Sequence, residues 1–277
     1  MSDKDFLSAV IDMGRFCNLS CLHCYNYSSP NKGKIINLRL IRQRIKEIAE
    51  LNIKDLWVTG GEPTLYPELF DIINCAVESR LRVHVSTNGC FNETIANRLA
   101  MFPVKIVRVS LDGNEQMHEV LRGRGSFKKA MKGIKCLQKS NVPFGISLHL
   151  HKMVEQFQLD MLEPFFKWQC PINIGPILPI GRAKKFRKVC FSNIEFRQIA
   201  LEIKKLDNKL ITISDFLCYA SKGVISIDAK GRHTLCCLRP KAVISRGNMG
   251  LERSVSQQRF QSSIRDRLEC NCMECKL

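Results

Sequence analysis

Short apolar runs alternate with helix-type hydrophobic patterns over the first 180 residues of the chain. The first run, at residues 7–13, precedes a segment at 38–51 whose apolar residues recur at three- and four-residue steps, which predicts an amphipathic helix. Further strands are predicted at 55–58, 82–87, 104–111, 143–150 and 171–177, and further helices at 67–80, 92–101, 127–140 and 154–168.

This alternation predicts βαβ units built on a parallel sheet. Six strands within about 180 residues suit a partial (β/α)6 TIM-like barrel better than a complete eight-fold barrel. From about residue 181 the pattern changes: residues 192–206 predict a helix, and only short strand-like pieces follow. We therefore expect an α/β protein with a barrel core at 1–206 and a small C-terminal cysteine-rich domain at 207–277.

Composition narrows the class of protein further. Hydrophobic residues make up 45% of the chain and charged residues 25%, as in globular proteins. The first fifteen residues lack the pattern of a signal peptide, and no apolar stretch is long enough to span a bilayer. We expect a cytoplasmic protein with no membrane partner.

Basic residues outnumber acidic ones, since 43 Lys and Arg against 26 Asp and Glu give a net charge of +17. This balance favours an acidic partner, without choosing among an acidic peptide, a phosphorylated metabolite and nucleic acid. The basic runs carry no interleaved aromatic residues of the kind that stack on bases, so we do not expect nucleic acid.

Three of the fourteen cysteines lie within eight residues, in the stretch CNLSCLHCY directly after the first predicted strand. Thiolates at Cys17, Cys21 and Cys24 are suited to binding one soft metal centre. Iron–sulfur clusters are the centres that several closely spaced thiolates usually bind. Three ligands on a four-iron cluster leave one iron open to a substrate or cofactor. Zinc on three cysteines and inert buried thiols are the alternatives.

Four motifs, each at the end of a predicted strand, occur in order along the chain: the three-cysteine loop, Gly60-Gly61-Glu62-Pro63, Ser86-Thr87-Asn88-Gly89 and Ser110-Leu111-Asp112-Gly113. Together they resemble the motifs of the radical S-adenosylmethionine (SAM) superfamily. The resemblance covers roughly residues 7–180.

The resemblance implies a [4Fe-4S] cluster on Cys17, Cys21 and Cys24. It also implies that this cluster binds SAM and cleaves it reductively to a 5′-deoxyadenosyl radical, which abstracts a hydrogen atom from a substrate C–H bond. A flavodoxin- or ferredoxin-type protein would supply the electron. The SAM contacts that it implies are His23, Gly60, Gly61, Glu62, Ser110 and Arg122. His23 stands where the family prefers an aromatic residue.

The C-terminal cysteines resemble those of a SPASM or twitch domain, which holds auxiliary clusters in many radical SAM enzymes. Six cysteines after residue 217 are fewer than a complete SPASM domain needs, so the shorter twitch domain with one auxiliary [4Fe-4S] cluster is expected. Cys270 and Cys237 are alternative ligands, and structural zinc is the alternative metal. The ligands that the resemblance favours are Cys218, Cys236, Cys272 and Cys275.

The expected substrate is a ribosomally made peptide, which would be crosslinked, epimerised or oxidised. The alternatives are dehydrogenation of a small aminocyclitol or sugar, RNA modification by the same chemistry, and a non-enzymatic metal scaffold. Only about ten residues precede the first strand, so we expect no leader-recognition domain fused there. No residue is identified as a catalytic acid or base. His149 and His151, at the end of the fifth predicted strand, are candidates for lining the barrel mouth.

Overall fold

A nine-stranded sheet forms the centre of the computed structural model, which describes residues 8–152, 163–206, 208–214, 224–234 and 250–251. The strand order is β7-β6-β5-β4-β3-β2-β1-β8-β9. Every pairing is parallel except that of β8 with β9. The strands are β1 (Ser8–Asp12), β2 (Asp55–Thr59), β3 (Arg82–Thr87), β4 (Ile106–Ser110), β5 (Phe144–Leu150), β6 (Ile172–Pro176), β7 (Ile211–Ile213), β8 (Val224–Ile227) and β9 (His233–Thr234).

Helices connect the parallel strands, and polar side chains define where several of them begin. Asn37, Asn92 and Asn114 each accept a backbone N–H bond in the first turn, and Ser192 forms a capping box with Glu195. The helices are α1 (Leu38–Glu50), α2 (Leu69–Glu78), α3 (Glu93–Ala100), α4 (Glu115–Arg122), α5 (Ser126–Lys139), α6 (Glu163–Phe166) and α7 (Asn193–Lys204), with 3-10 turns at Pro63–Leu65 and Gly181–Val189.

The two faces of the sheet differ in polarity. Along β2, β3 and β4 buried and less buried residues alternate, as the two-residue period of a strand requires. The buried set, for example Val58, Val85 and Val109, belongs to the core shared with the helices. The other set includes Thr59, Ser86 and Ser110, which line a cavity at the carboxyl ends of the strands.

The six strands predicted for the barrel are all present, within two residues at each end. The predicted helices at 38–51, 67–80, 92–101, 127–140 and 192–206 are confirmed as α1, α2, α3, α5 and α7. Most of the predicted helix at 154–168 lies outside the described residues. Helix α4 was not predicted, although Met117 and Leu121 give it a buried four-residue repeat.

Strands beyond residue 206 extend the same sheet. Strand β7 pairs with β6, and β8 pairs with β1 from Ser8↔Val224 to Ile11↔Ile227. The proposed boundary at 206/207 stays a prediction. The cysteines predicted as auxiliary ligands, Cys218, Cys236, Cys272 and Cys275, lie outside the described residues, as do Cys237 and Cys270. Within the described ranges, no helix has the length and apolar character needed to cross a bilayer.

Candidate active site

A cavity of about 250 Å³ opens at the carboxyl ends of the parallel strands. This is where sites form in parallel α/β sheets, because the loops that follow the strands converge there. Its lining includes most of the predicted site residues, which come from four separate stretches of the sequence. Those residues are Cys17, Cys21, His23, Cys24, Gly60, Gly61, Ser110 and Arg122.

The three-cysteine loop is fixed by backbone hydrogen bonds to several elements. Cys17 donates its N–H to the Ser29 carbonyl at 3.3 Å, and Leu22 donates to the Leu121 carbonyl of α4 at 2.8 Å. Asn88, after β3, donates through Nδ2 to Asn18 Oδ1 at 2.7 Å. The loop therefore has a defined shape, set by contacts with β3 and α4.

Polar hydrogens already point at the cysteine sulfurs. Backbone N–H groups lie 3.4 Å from Cys17 Sγ, donated by Leu19, and 3.3 Å from Cys24 Sγ, donated by Ser28. Asn88 Nδ2 lies 3.7 Å from Cys17 Sγ. Donors of this kind stabilise thiolates and tune iron–sulfur clusters. The loop therefore fits a cluster held by three thiolates.

The sulfurs of the three cysteines are not spaced as tetrahedral zinc would require. Tetrahedral zinc with Zn–S bonds of about 2.3 Å brings its sulfurs to about 3.8 Å from one another. Among the residues that the structure describes, the group with three possible ligand atoms mutually within 4.8 Å is His23, Asp112 and His149, and not the three cysteines. At least one pair of the three sulfurs is therefore farther apart than a zinc ion would hold it.

Burial sets the protonation of these thiols in the metal-free protein. It raises the pKa of Cys17 to about 12 and also raises that of Cys21. The guanidinium groups of Arg122 and Arg182 partly oppose the shift at Cys21. Both thiols therefore hold their protons at neutral pH, and metal binding must release them.

The Gly60-Gly61-Glu62-Pro63 turn lies against the cysteine loop, since Glu62 N–H donates to the Phe16 carbonyl at 3.0 Å. The carboxylate of Glu62 is fully buried, outside the cavity lining. It accepts hydrogen bonds from Thr64 N–H and Oγ1, from Thr87 Oγ1 at 2.7 Å and from Asn88 N–H at 2.7 Å. Glu62 therefore joins the turn after β2 to the turn after β3.

Asp112, directly after β4, is a buried carboxylate that contacts Arg122 and two histidines of the site. Its Oδ2 accepts from Arg122 Nε at 2.5 Å, and its Oδ1 accepts from His149 N–H at 3.2 Å. Burial opposes its ionisation, yet Arg122, His149 and His23 together hold its pKa well below the ordinary value. Burial would also lower the pKa of Arg122, but Asp112 raises it above its ordinary value. A buried ion pair results.

Histidines surround this ion pair. Burial lowers the pKa of His23 to about 3, so its ring is neutral at physiological pH. His23 Nε2 lies 3.6 Å from Asp112 Oδ2, and His149 Nδ1 lies 3.3 Å from Asp112 Oδ1. A metal cation on these three residues would compete with the Arg122 guanidinium already bound to Asp112. We therefore interpret the group as a polar network that places Arg122 and His149 at the cavity.

Some of these roles were not predicted from the sequence. Asp112 and Asn88 were identified only as parts of motifs, and their contacts were not anticipated. His149 lines the cavity, as the sequence suggested, whereas His151 is not among the lining residues. Asn173, near the start of β6, and Ser214, directly after β7, also line it. A polar residue among the apolar residues of a predicted strand is the signal that would identify Asn173.

The fold and the site define an α/β protein with a cysteine-lined cavity at the mouth of a parallel sheet. Residues 11–160, more than half of the chain, match the family model described as "Radical SAM superfamily", and the chain belongs to this superfamily of enzymes. The resemblance inferred from the four motifs is thereby confirmed at the level of the superfamily.

Two curated relatives are similar over part of their length. The chain is 27% identical over 172 residues to "Mycofactocin maturase MftC" of Mycolicibacterium smegmatis, covering 60% of this chain and 43% of that protein. It is 33% identical over 141 residues to "AdoMet-dependent heme synthase" of Methanosarcina barkeri, covering 49% of this chain and 40% of the relative. The chain thus spans less than half the length of either relative.

The fold also resembles that of SuiB from Streptococcus suis. The crystal structure of SuiB bound to precursor peptide SuiA gives a TM-score of 0.73 at 14% identity, covering 90% of this chain and 64% of SuiB. SuiB has also been solved with S-adenosylmethionine. At this identity the likeness establishes the shared fold, that of a partial barrel.

Proposed function

We propose that this protein holds a [4Fe-4S] cluster on Cys17, Cys21 and Cys24 and binds SAM beside it to start radical chemistry on a substrate C–H bond. When bound, cluster and SAM together supply the electron transfer that splits SAM into methionine and a 5′-deoxyadenosyl radical. The protein's own residues bind, orient and shield the reactants. The SAM contacts that we propose are His23, Gly60, Gly61, Ser110 and Arg122, and Glu62, also expected as a contact from the sequence, acts through the turns that it joins because its carboxylate is buried outside the cavity lining.

One observation carries this proposal: the three thiols, the Gly60-Gly61 turn, Ser110 and Arg122 line a single cavity. Arg122 is a permanent cation held in place by Asp112, which suits it to the carboxylate of SAM. Gly60 and Gly61 line the cavity, and a Cβ at Gly61 would lie 2.0 Å from the Phe16 carbonyl oxygen, so this turn packs directly against the start of the cysteine loop. Glu62 contributes by joining the turns after β2 and β3, because its carboxylate is occupied by protein donors.

The test is SAM cleavage under strictly anaerobic, reducing conditions. The reconstituted wild-type protein should form 5′-deoxyadenosine and methionine, and a Cys17, Cys21, Cys24→Ala triple variant should form neither. The matched control changes three buried cysteines away from the cavity, Cys75, Cys136 and Cys170, to Ala. It should retain cleavage. No 5′-deoxyadenosine from the wild type, or equal amounts from both triple variants, would refute the proposal.

We propose a peptide as the substrate class. The side of the cavity at β5, β6 and β7 combines polar groups of His149, Asn173 and Ser214 with the apolar side chains of Ile177 and Leu178. Such a surface suits a peptide segment, with polar groups for its amides and an apolar wall for a side chain. The fold shared with peptide-bound SuiB and the net charge of +17, which favours an acidic partner, also support a peptide.

A small metabolite is the second candidate, and the similarity to an AdoMet-dependent heme synthase is the observation that favours it. Deuterium labelling separates the candidates. Peptides deuterated at Cα or Cβ should transfer deuterium into 5′-deoxyadenosine, whereas a deuterated aminocyclitol or sugar should not. Transfer from the small molecule and none from peptides would replace the peptide proposal while leaving the SAM chemistry intact.

An auxiliary [4Fe-4S] cluster on Cys218, Cys236, Cys272 and Cys275 belongs to the same proposal, with a flavodoxin- or ferredoxin-type protein as the electron donor. The similarity of the C-terminal cysteine pattern to a twitch domain supports the auxiliary cluster. Its role would be to accept an electron from the substrate radical, which would make the net reaction oxidative.

A further inference from the structure

Arg182, which lines the cavity, hydrogen-bonds to the cysteine loop across 161 residues of sequence. Its Nε donates to the Cys21 carbonyl at 2.7 Å, and its Nη2 donates to the Ser28 carbonyl at 2.7 Å. Its backbone N–H donates to the Cys24 carbonyl at 3.0 Å. One residue therefore holds the loop at three points, two of them at the carbonyls of candidate cluster ligands.

Gly181 allows this approach. Its φ is +57°, and a Cβ at this position would lie 2.3 Å from the Cys24 carbonyl oxygen and 2.4 Å from that of Tyr25. Because the obstructing atoms are backbone, a side chain could fit only if the cysteine loop moved. The pair Gly181-Arg182 thus forms a direct backbone contact with the loop, which we call the loop clasp.

The loop clasp is continuous with the cavity wall. Ile177 lines the cavity and packs in a small buried cluster with Leu121, Ala183 and Cys190. Leu121 in turn accepts the hydrogen bond of Leu22 through its carbonyl. The cysteine loop is thus held on one side by α4 and on the other by the segment after β6, and these two elements pack on each other.

Charge adds to the geometry. A cluster with three thiolate ligands concentrates negative charge at the loop, and nearby cations and hydrogen bonds set the reduction potential of such centres. The guanidinium groups of Arg122 and Arg182 both act electrostatically on Cys21. Asp112 neutralises Arg122 directly, whereas the side chain of Arg182 donates to backbone carbonyls and, among the residues that the structure describes, forms no ion pair with a carboxylate.

We propose that Arg182, with Gly181, is a positioning residue for the cluster: it fixes the loop that carries the three thiolates and raises the reduction potential of the bound cluster through its charge. The inference rests on the proposed function, because it requires a cluster at this loop. It assigns to the segment after β6 a role in retaining the cluster, in addition to lining the cavity.

The test compares four full-length proteins after anaerobic reconstitution: wild type, Arg182→Lys, Arg182→Gln and Arg187→Gln. Arg187 is the matched control, since it is an exposed arginine of the same 3-10 segment. The readouts are iron retained per chain after gel filtration, measured above the Cys17, Cys21, Cys24→Ala variant, and the midpoint potential of the cluster. The change that SAM causes in the electron paramagnetic resonance (EPR) spectrum of the reduced protein is the third readout.

Arg182→Gln should lose cluster iron several-fold and shift the remaining midpoint potential to more negative values. Arg182→Lys keeps the charge without the two-carbonyl geometry, so it should lose iron while keeping the wild-type potential. Arg187→Gln should match the wild type in every readout. A structural defect alone would lower iron content without the difference in potential between the two Arg182 variants.

Wild-type iron retention in Arg182→Lys, or equal midpoint potentials in wild type and Arg182→Gln, would overturn the corresponding half of the proposal. If Arg182→Gln is insoluble, Arg182→Lys still tests whether the loop clasp retains iron. Arg187→Gln then shows whether the effect is specific to position 182. Failure of the proposed function looks different, because the wild type itself would then hold no iron above the cysteine triple variant and SAM would leave its EPR spectrum unchanged.

Discussion

Three buried acidic side chains near the site, Asp112, Glu62 and Asp12, have pKa values shifted in different directions according to their partners. Asp112 has an arginine beside it, and its pKa lies well below the ordinary value. Within the described part of the chain, Glu62 accepts four hydrogen bonds from neutral donors, and burial raises its pKa despite them. At Asp12, the last residue of β1, burial and the nearby carboxylate of Asp228 raise the pKa to about 7, against the opposing effects of hydrogen bonds from Gly14 and Asn26 and of the charge of Arg15. Neutral donors therefore compensate burial less completely than a cation does.

Asp12 predicts a pH-dependent stability. Its pKa is about 7 in the folded protein against an ordinary value of 3.8, so the folded state binds this proton more tightly than the unfolded state does. The stabilising contribution of protonated Asp12 is fully present below about pH 4 and is lost as the pH rises to about 7. The stability of the Asp12→Asn variant relative to wild type should therefore increase as the pH rises over this range, by at most about 1.4 kcal/mol per pH unit.

Urea unfolding of both proteins between pH 5 and pH 8 measures this difference. The matched control is Glu50→Gln, an exposed carboxyl at the end of α1. Its stability relative to wild type should stay constant over the same range. A constant difference between Asp12→Asn and wild type would show that Asp12 is already ionised in the folded protein at pH 5.

At the scale of elements, helix α5 packs directly on the turn that follows β3. A Cβ added to Gly133 would lie 2.0 Å from the carbonyl oxygen of Gly89. That turn also contains Thr87 and Asn88, which hold Glu62. A shift of α5 would therefore displace the turn after β3, which lines the cavity.

Gly133→Ala tests this contact. The substitution has two opposite effects on the stability of the protein. Alanine in a helix interior is favoured over glycine by about 1 kcal/mol, whereas overpacking against a backbone oxygen costs about 1–3 kcal/mol. We expect a net loss of stability and a lower melting temperature. Lys135→Ala, at an exposed position of the same helix, is the control and should change stability little. A more stable Gly133→Ala protein would mean that helix and turn separate at no cost.

The sequence predicts elements better than contacts. Strands β1 to β6 follow from short apolar runs, since local composition determines them. Helix α4 was missed because eight residues give only two turns of periodic signal. The bonds of Arg182 to the cysteine loop join residues 161 positions apart. No local spacing encodes them, so they become visible only when β1 and β6 are placed in one sheet.

At the scale of the whole molecule, the metal content distinguishes one cluster from two. With two [4Fe-4S] clusters, the anaerobically reconstituted protein should contain about eight irons and about eight acid-labile sulfides per chain. Changing Cys17, Cys21 and Cys24 to Ala should leave about four of each. Changing Cys218, Cys236, Cys272 and Cys275 to Ala should also leave about four, and should preserve the EPR response to SAM.

Zinc measured in the same samples separates the alternatives for the C-terminal cysteines. About four irons in the wild type, falling to none in the Cys17, Cys21, Cys24→Ala variant, would exclude an auxiliary cluster. If about one zinc per chain accompanied that result and vanished in the C-terminal variant, those cysteines would form a structural zinc site. Relay of an electron from the substrate radical would then have no centre in this chain, and the oxidative net reaction would have to be abandoned while SAM cleavage at the three-cysteine loop stood.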